Sequence, residues 1–132
     1  MTFLDSSVII DMLEGREETV EFVEEQPGPY LTSTLCVYEV LDGSLGSGRT
    51  DVDAERQRFD GIRSIDVSET VAIEAAKLQD ELLDDGQRMG VRDLLIAATA
   101  RSTSDHLIVA DADFQVEALE SKLDVTNLRK RD

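Results

Sequence analysis

Apolar residues fall in short clusters along the chain, and their spacing alternates between strand-like and helix-like. Thr2-Phe3-Leu4 is a brief run that stops at Asp5 and predicts a buried strand over residues 2–5. Val8, Ile9, Met12 and Leu13 follow at helical spacing, with Gly15 as the stop. Residues 17–25 predict a second helix, closed by Pro27-Gly28-Pro29. Tyr30 to Thr34 reads as a strand, and Cys36 to Leu45 as a helix before the turn Gly46-Ser47-Gly48. Asp51 to Phe59 predicts a polar helix and Ser64 to Val67 a short strand. Ser68 then caps the clearest helix, which carries Val71, Ala75, Leu78 and Leu82 on one stripe and ends at Asp84-Asp85-Gly86. Asp93 is expected to open a helix that is apolar on nearly all sides, and therefore central. Leu107 to Ala110 predicts a buried strand ending at Asp111, followed by a helix from Phe114 and an edge strand over Val125 to Leu128.

Short apolar strands alternating with helices predict an α/β fold, a three-layer sandwich around a mainly parallel central sheet. A chain of 132 residues is expected to form a single domain, 1–132, around one hydrophobic core. In parallel sheets ligands sit beyond the carboxyl ends of the strands. Asp5 and Asp111 terminate predicted strands in that position, which sets them apart from ordinary surface charges.

Composition changes the picture in three ways. The apolar fraction of 41% is ordinary for a globular protein, and no apolar run approaches the ~20 residues of a membrane span. The N-terminus lacks the basic start and cleavage site of a leader, so a cytoplasmic protein with no membrane partner is expected. The lone Cys36 cannot form an internal disulfide, and the only histidine, His106, is far along the chain. Cys36 is therefore read as a small core residue rather than a nucleophile. The net charge of −16, with 13 basic and 29 acidic residues and only three lysines, resembles the surfaces of proteins from organisms living in very high salt. At 1 M salt the screening length is about 3 Å, which mutes both self-repulsion and repulsion of nucleic acid.

Any single carboxylate among 29 is by default a solvated charge. Asp5 and Asp93 also suit helix caps, Glu39 the wet face of a helix, and Asp111 or Asp113 a solvated turn. As a set, acids embedded in apolar surroundings near element ends are harder to dismiss. If they converge, unit charges ~4 Å apart repel by about 4 kcal/mol at an effective dielectric near 20, so the site must protonate or bind cations. Oxygen ligands without His or thiolate select a hard ion, Mg2+ or Mn2+, and disfavour zinc.

Four segments then resemble one family. Leu4-Asp5-Ser6-Ser7-Val8-Ile9-Ile10 resembles the opening of PIN domains, where the Asp is the first metal ligand. Glu39, within Thr34 to Val40, is similar to the second acid of that family. Arg92-Asp93-Leu94-Leu95-Ile96-Ala97-Ala98-Thr99-Ala100 is similar to its most distinctive segment, and Val109-Ala110-Asp111-Ala112-Asp113-Phe114 to its ending, T-x-D-x-D-F. Their order and spacing extend the resemblance over nearly the whole chain. Val109 departs from the usual Thr, Ser6 from a frequent Thr, and Arg92 from a small or acidic residue; none removes a carboxylate.

The resemblance implies a metal-dependent endoribonuclease, similar to the toxin half of VapBC-type toxin–antitoxin pairs. Asp5 and Asp93 would be the principal ligands of Mg2+ or Mn2+, with Glu39 and Asp111 completing the set, and Asp113 the alternative to Asp111. RNA would be the substrate, and partners would be a cognate antitoxin and a second copy in a homodimer. Arg49, Arg88 and Arg92 are candidates to offset substrate charge, although surface solubility is the simpler role for each; Arg129-Lys130-Arg131 reads as a frayed tail. Val20, Phe22 and Val23, with Tyr38 and Leu41, exceed what one small core absorbs and suggest a groove for an antitoxin helix. Two other readings are a PIN-like module that binds without cutting, and a receiver-like signalling domain. The receiver needs an acidic pair after the first strand and a lysine on the last, and Ser6-Ser7 and residues 125–128 supply neither.

Overall fold

The computed structural model describes residues 1–103 and 105–129. Five strands, β1 (Thr2–Leu4), β2 (Tyr30–Ser33), β3 (Arg63–Ile65), β4 (His106–Val109) and β5 (Val125–Asn127), form one sheet in the order β3-β2-β1-β4-β5. Every pairing is parallel, with Phe3 opposite both Leu31 and Leu107. The sheet is thus wholly parallel. Its order also differs from the 2-1-3-4-5 arrangement of receiver-like folds and reverses direction between β1 and β4.

Seven helices cover the two faces among the described residues: α1 (Ser6–Leu13), α2 (Glu17–Glu24), α3 (Thr34–Asp42), α4 (Val52–Gln57), α5 (Glu69–Asp84), α6 (Val91–Ser102) and α7 (Val116–Leu119). Strand residues alternate between two apolar layers. Phe3, Leu107 and Val109 pack with Val71, Ala75, Leu78 and Leu82 of α5 and with Leu94, Ile96 and Ala97 of α6. Leu4, Ile108 and Ala110 pack instead with Val8, Ile9, Val23, Val40, Phe59 and Ile62. Both faces being covered explains why Phe3-Leu4 of β1 and Leu107-Ile108-Val109 of β4 run apolar without alternation. The sheet therefore divides the interior into two layers, rather than the single core that length suggested.

Most elements lie where the spacing placed them. The α5 stripe is buried as expected, and Ser68 caps it by accepting from the Val71 N–H at 3.4 Å. Gly15, at φ 77°, supplies the left-handed turn after α1. Three expectations need correction. Helix α6 starts at Val91 after Gly90, which lacks a side chain to cap it, so Asp93 sits in the first turn rather than at the cap. Residues 111–115 form a turn, and the helix expected from Phe114 is the single turn α7. Of the apolar surplus on α2 and α3, Val23 is buried and Phe22 and Leu41 pack against the second layer, while Tyr38 stays 60% exposed. No helix among the described residues is long and apolar enough to cross a membrane.

Arg129 is also not a frayed end. Its Nη2 lies 2.8 and 2.7 Å from the two carboxylate oxygens of Asp11, a buried residue that also accepts from Thr19 Oγ1 at 2.8 Å. A buried carboxylate is costly unless paired, so this contact ties the segment after β5 to α1. Lys130 and Arg131 lie outside the described residues.

Candidate active site

Asp5 directly follows β1, and its backbone N–H donates to Ile108 O of β4 at 3.0 Å. It thus stands at the carboxyl edge of the sheet, at the crevice where the strand order reverses. The residue is fully buried and divides its oxygens between two tasks. Oδ2 caps α1 by accepting from the Ser7 N–H at 3.2 Å and from Ser7 Oγ. Oδ1 faces inward. The cap and the ligand, which compete as explanations in the sequence, are here two atoms of one carboxylate.

Glu39 reaches the same place from α3, one helical turn after Cys36. Ser6 Oγ donates to its Oε1 at 2.9 Å. Asp93 arrives from the first turn of α6. The group that gathers these acids is Arg92. Its Nη2 lies 2.9 Å from Asp5 Oδ1 and 2.6 Å from Glu39 Oε1, its Nε 2.9 Å from Glu39 Oε2, and its Nη1 2.9 Å from Asp93 Oδ1. Asp5, Glu39 and Asp93 are therefore brought together around one guanidinium.

Asp111 lies two residues beyond β4, partly buried, with its carbonyl held by Asn127 Nδ2 at 2.7 Å. Its charge is felt at Asp93. Burial pushes the Asp93 carboxyl up, Arg92 pulls it down, and the Asp5 and Asp111 charges push it up again, leaving it above the usual range. Asp113 is exposed, and its backbone N–H donates to Asp111 Oδ1 at 2.9 Å. Burial also pushes Glu39 up, but the hydrogen bonds from Arg92 and Ser6 outweigh it and hold the carboxyl below its usual range. The site thus contains more negative charge than one guanidinium neutralises.

Ligand atoms of Asp5, Cys36 and Glu39 lie within 4.8 Å of one another. Cys36 Sγ is 3.8 Å from Asp5 Oδ1, and burial together with the Asp5 charge pushes the thiol up to about 12. At neutral pH it is an uncharged donor to Asp5, not a thiolate, so the remaining donors are oxygens. That set fits a hard divalent cation. Two outcomes follow for Cys36. It should resist alkylation by iodoacetamide at pH 8 in the folded protein and react once denatured, since only the thiolate is nucleophilic. Its raised pKa contributes stability fully below about 9, the unfolded value, and loses it as pH climbs toward about 12. Rapid labelling of the native protein would contradict this placement.

The sequence underrated three groups. Ser7 Oγ bridges Asp5 and the Ala110 N–H, the latter at 2.9 Å, while Asn127 holds the next residue. Together they fix the backbone leading into Asp111, although Val109 has no hydroxyl and is buried in the core. Arg92 is at the centre of the site, half-buried among the acids, whereas Arg49 and Arg88 are exposed. The signal available was adjacency: Ser6-Ser7 follows a capping Asp, and Arg92 precedes Asp93. His106 offers no base here, because it begins β4 at the opposite end of the strand and pairs with Thr126 Oγ1 at 2.8 Å.

Known proteins share this arrangement of elements. A PIN domain profile matches residues 2–118. Ribonuclease VapC5 of Mycobacterium tuberculosis is 30% identical over 115 residues, covering 84% of this chain and 83% of that protein. The structure of VapBC-5 from the same organism, a member of the VapBC family of toxin–antitoxin systems, matches at 29% identity with a TM-score of 0.67, covering 97% of each chain. A toxin–antitoxin complex from Klebsiella pneumoniae matches with a TM-score of 0.75 at 21% identity over 96% of each chain, a likeness of fold. With the profile spanning most of its length and the acids in place at the edge of a parallel sheet, the chain belongs to the PIN-domain family.

Proposed function

We propose that the protein is a metal-dependent endoribonuclease, the toxin component of a VapBC-type pair held in check by an antitoxin. The observation that supports this most is the convergence of Asp5, Glu39 and Asp93 at the carboxyl edge of β1, with Asp111 close enough to raise the Asp93 pKa. Relatedness to ribonuclease VapC5 supports RNA as the substrate. Kinship with VapBC-5 supports the antitoxin. A domain that binds without cutting has less reason to concentrate uncompensated carboxylates, whose mutual repulsion lowers stability.

Asp5, Glu39, Asp93 and Asp111 would hold Mg2+ or Mn2+, which when bound lowers the pKa of an attacking water and offsets charge on the phosphate. The chain's own residues prepare that site. Ser7 fixes Asp5 so that one oxygen always faces the crevice, and Ser6 orients Glu39. Burial of Asp5 at the sheet edge keeps solvent from weakening its field. Neither Cys36, whose thiol burial keeps protonated, nor His106, at the far end of β4, is placed to act as a nucleophile. Water would therefore be the attacking group.

The purified protein should cleave 5′-labelled RNA when Mg2+ or Mn2+ is added and stop when EDTA is added. Cleavage unchanged by the chelator would overturn the carboxylate mechanism. RNA left intact under all metal conditions would favour the binding module.

A further inference from the structure

Arg92 is the feature that a simple metal site does not explain. A cation needs oxygen lone pairs at about 2.1 Å. In this structure most of the carboxylate oxygens that gather here already accept hydrogen bonds. Both oxygens of Glu39 accept from the Arg92 fork, at 2.9 and 2.6 Å, and Oε1 also accepts from Ser6. Asp5 spends Oδ2 on Ser7 and gives Oδ1 to Arg92, while Asp93 gives Oδ1 to Arg92. The guanidinium also donates to Ser6 Oγ at 2.9 Å, so all three of its nitrogens are engaged inside the acidic cluster. A dication and a guanidinium compete for these oxygens, because both are positive and both draw on the same atoms.

The placement allows exchange. Arg92 is anchored by its backbone in the first turn of α6, beside Asp93 and the 71% exposed Val91, at the protein surface. Its side chain retains 33% exposure. A flexible side chain with a third of its surface in water can swing out without moving the helix or uncovering the core. A fully enclosed arginine would be a permanent structural pair. This one has a route out.

We propose that Arg92 is an internal counter-ion that occupies the acidic site in the metal-free protein, and that a divalent cation binds only by displacing it. The inference rests on the metal reading of the site given above and adds a regulation to it. Metal affinity is set by competition within the chain: the guanidinium stabilises the empty site against its own repulsion and weakens every incoming cation by the same interaction. The site then loads at higher metal concentration than the same four acids would require alone. The bidentate geometry matters as well as the charge, since a fork satisfies two oxygens of Glu39 at once and an ammonium group cannot.

Calorimetric titration of the metal-free full chain with Mn2+ tests this in the parent, Arg92→Gln and Arg92→Lys. The glutamine variant should bind Mn2+ at least about tenfold more tightly than the parent, the scale on which groups surrounding a metal site act, with the lysine variant between them. In the parent, the Nε–H resonance of Arg92 should shift as Mg2+ is added, reporting release of the side chain even if the glutamine variant folds poorly. Equal or weaker Mn2+ binding by the glutamine variant, with an unmoved Arg92 resonance, would overturn the exchange and leave the metal-dependent nuclease intact. A parent and variants that all ignore Mn2+ would instead remove the metal reading itself, and the exchange with it.

Discussion

Replacing Asp93 by asparagine is expected to give a well-folded protein whose RNA cleavage falls by at least roughly 100-fold. Asparagine is nearly isosteric but neutral, and a poor donor to a hard cation. The folding side of the prediction rests on the sign of the Asp93 shift. Burial raises its pKa, and Asp5 and Asp111 add to the rise despite Arg92. A carboxyl whose folded pKa is raised favours the native state only below its unfolded pKa, and that contribution is lost as pH rises. The Asp93 charge is thus a net burden on the metal-free fold, and Asp93→Asn should melt at or above the parent temperature. Asp93→Ala should be equally inactive. Because Gly90 and not Asp93 occupies the cap of α6, alanine forfeits the favourable charge in the first turn, about 0.3–1 kcal/mol, and the hydrogen bond from Arg92 Nη1, but no cap. A fully active asparagine variant would mean that Asp93 serves the helix alone.

The unfolding temperature of the parent should climb steeply with potassium chloride. The chain carries −16, and even the acids at its active site outnumber their single arginine partner. Screening that self-repulsion between dilute buffer and molar salt should recover about 2 kcal/mol or more, or roughly 6–8 °C for a domain of this length. The Asp11–Arg129 pair is largely buried and should be nearly indifferent to the same salt. A melting temperature that stays flat would remove the high-salt explanation of the composition. It would then leave the approach of RNA to so acidic a protein dependent on local cations alone.

Where apolar periodicity carried the information, the sequence was a good guide. The α5 stripe and the strands ending before Asp5 and Asp111 follow from burial on both sheet faces, which leaves a direct trace in residue type. The start of α6 was misplaced because Gly90 offers no capping side chain, while Asp93 has the chemistry of a cap without its position. The roles of arginines were the hardest to read. Arg92 meets Asp5 across 87 residues and Arg129 meets Asp11 across 118, and a charged residue's local surroundings say nothing of such distant partners. The same blindness applied to Ser7, whose hydroxyl links Asp5 to β4's exit across 103 residues. The acids were legible only as an ordered set, because their meaning lies in convergence at one sheet edge.

Anomalous diffraction from a crystal of the parent protein soaked in manganese tests that convergence most directly. A peak is expected among the carboxylates of Asp5, Glu39, Asp93 and Asp111, with the Arg92 guanidinium withdrawn from the position it holds between them. A manganese peak elsewhere on the acidic surface, with these four carboxylates still closed around Arg92, would contradict the assignment of the site.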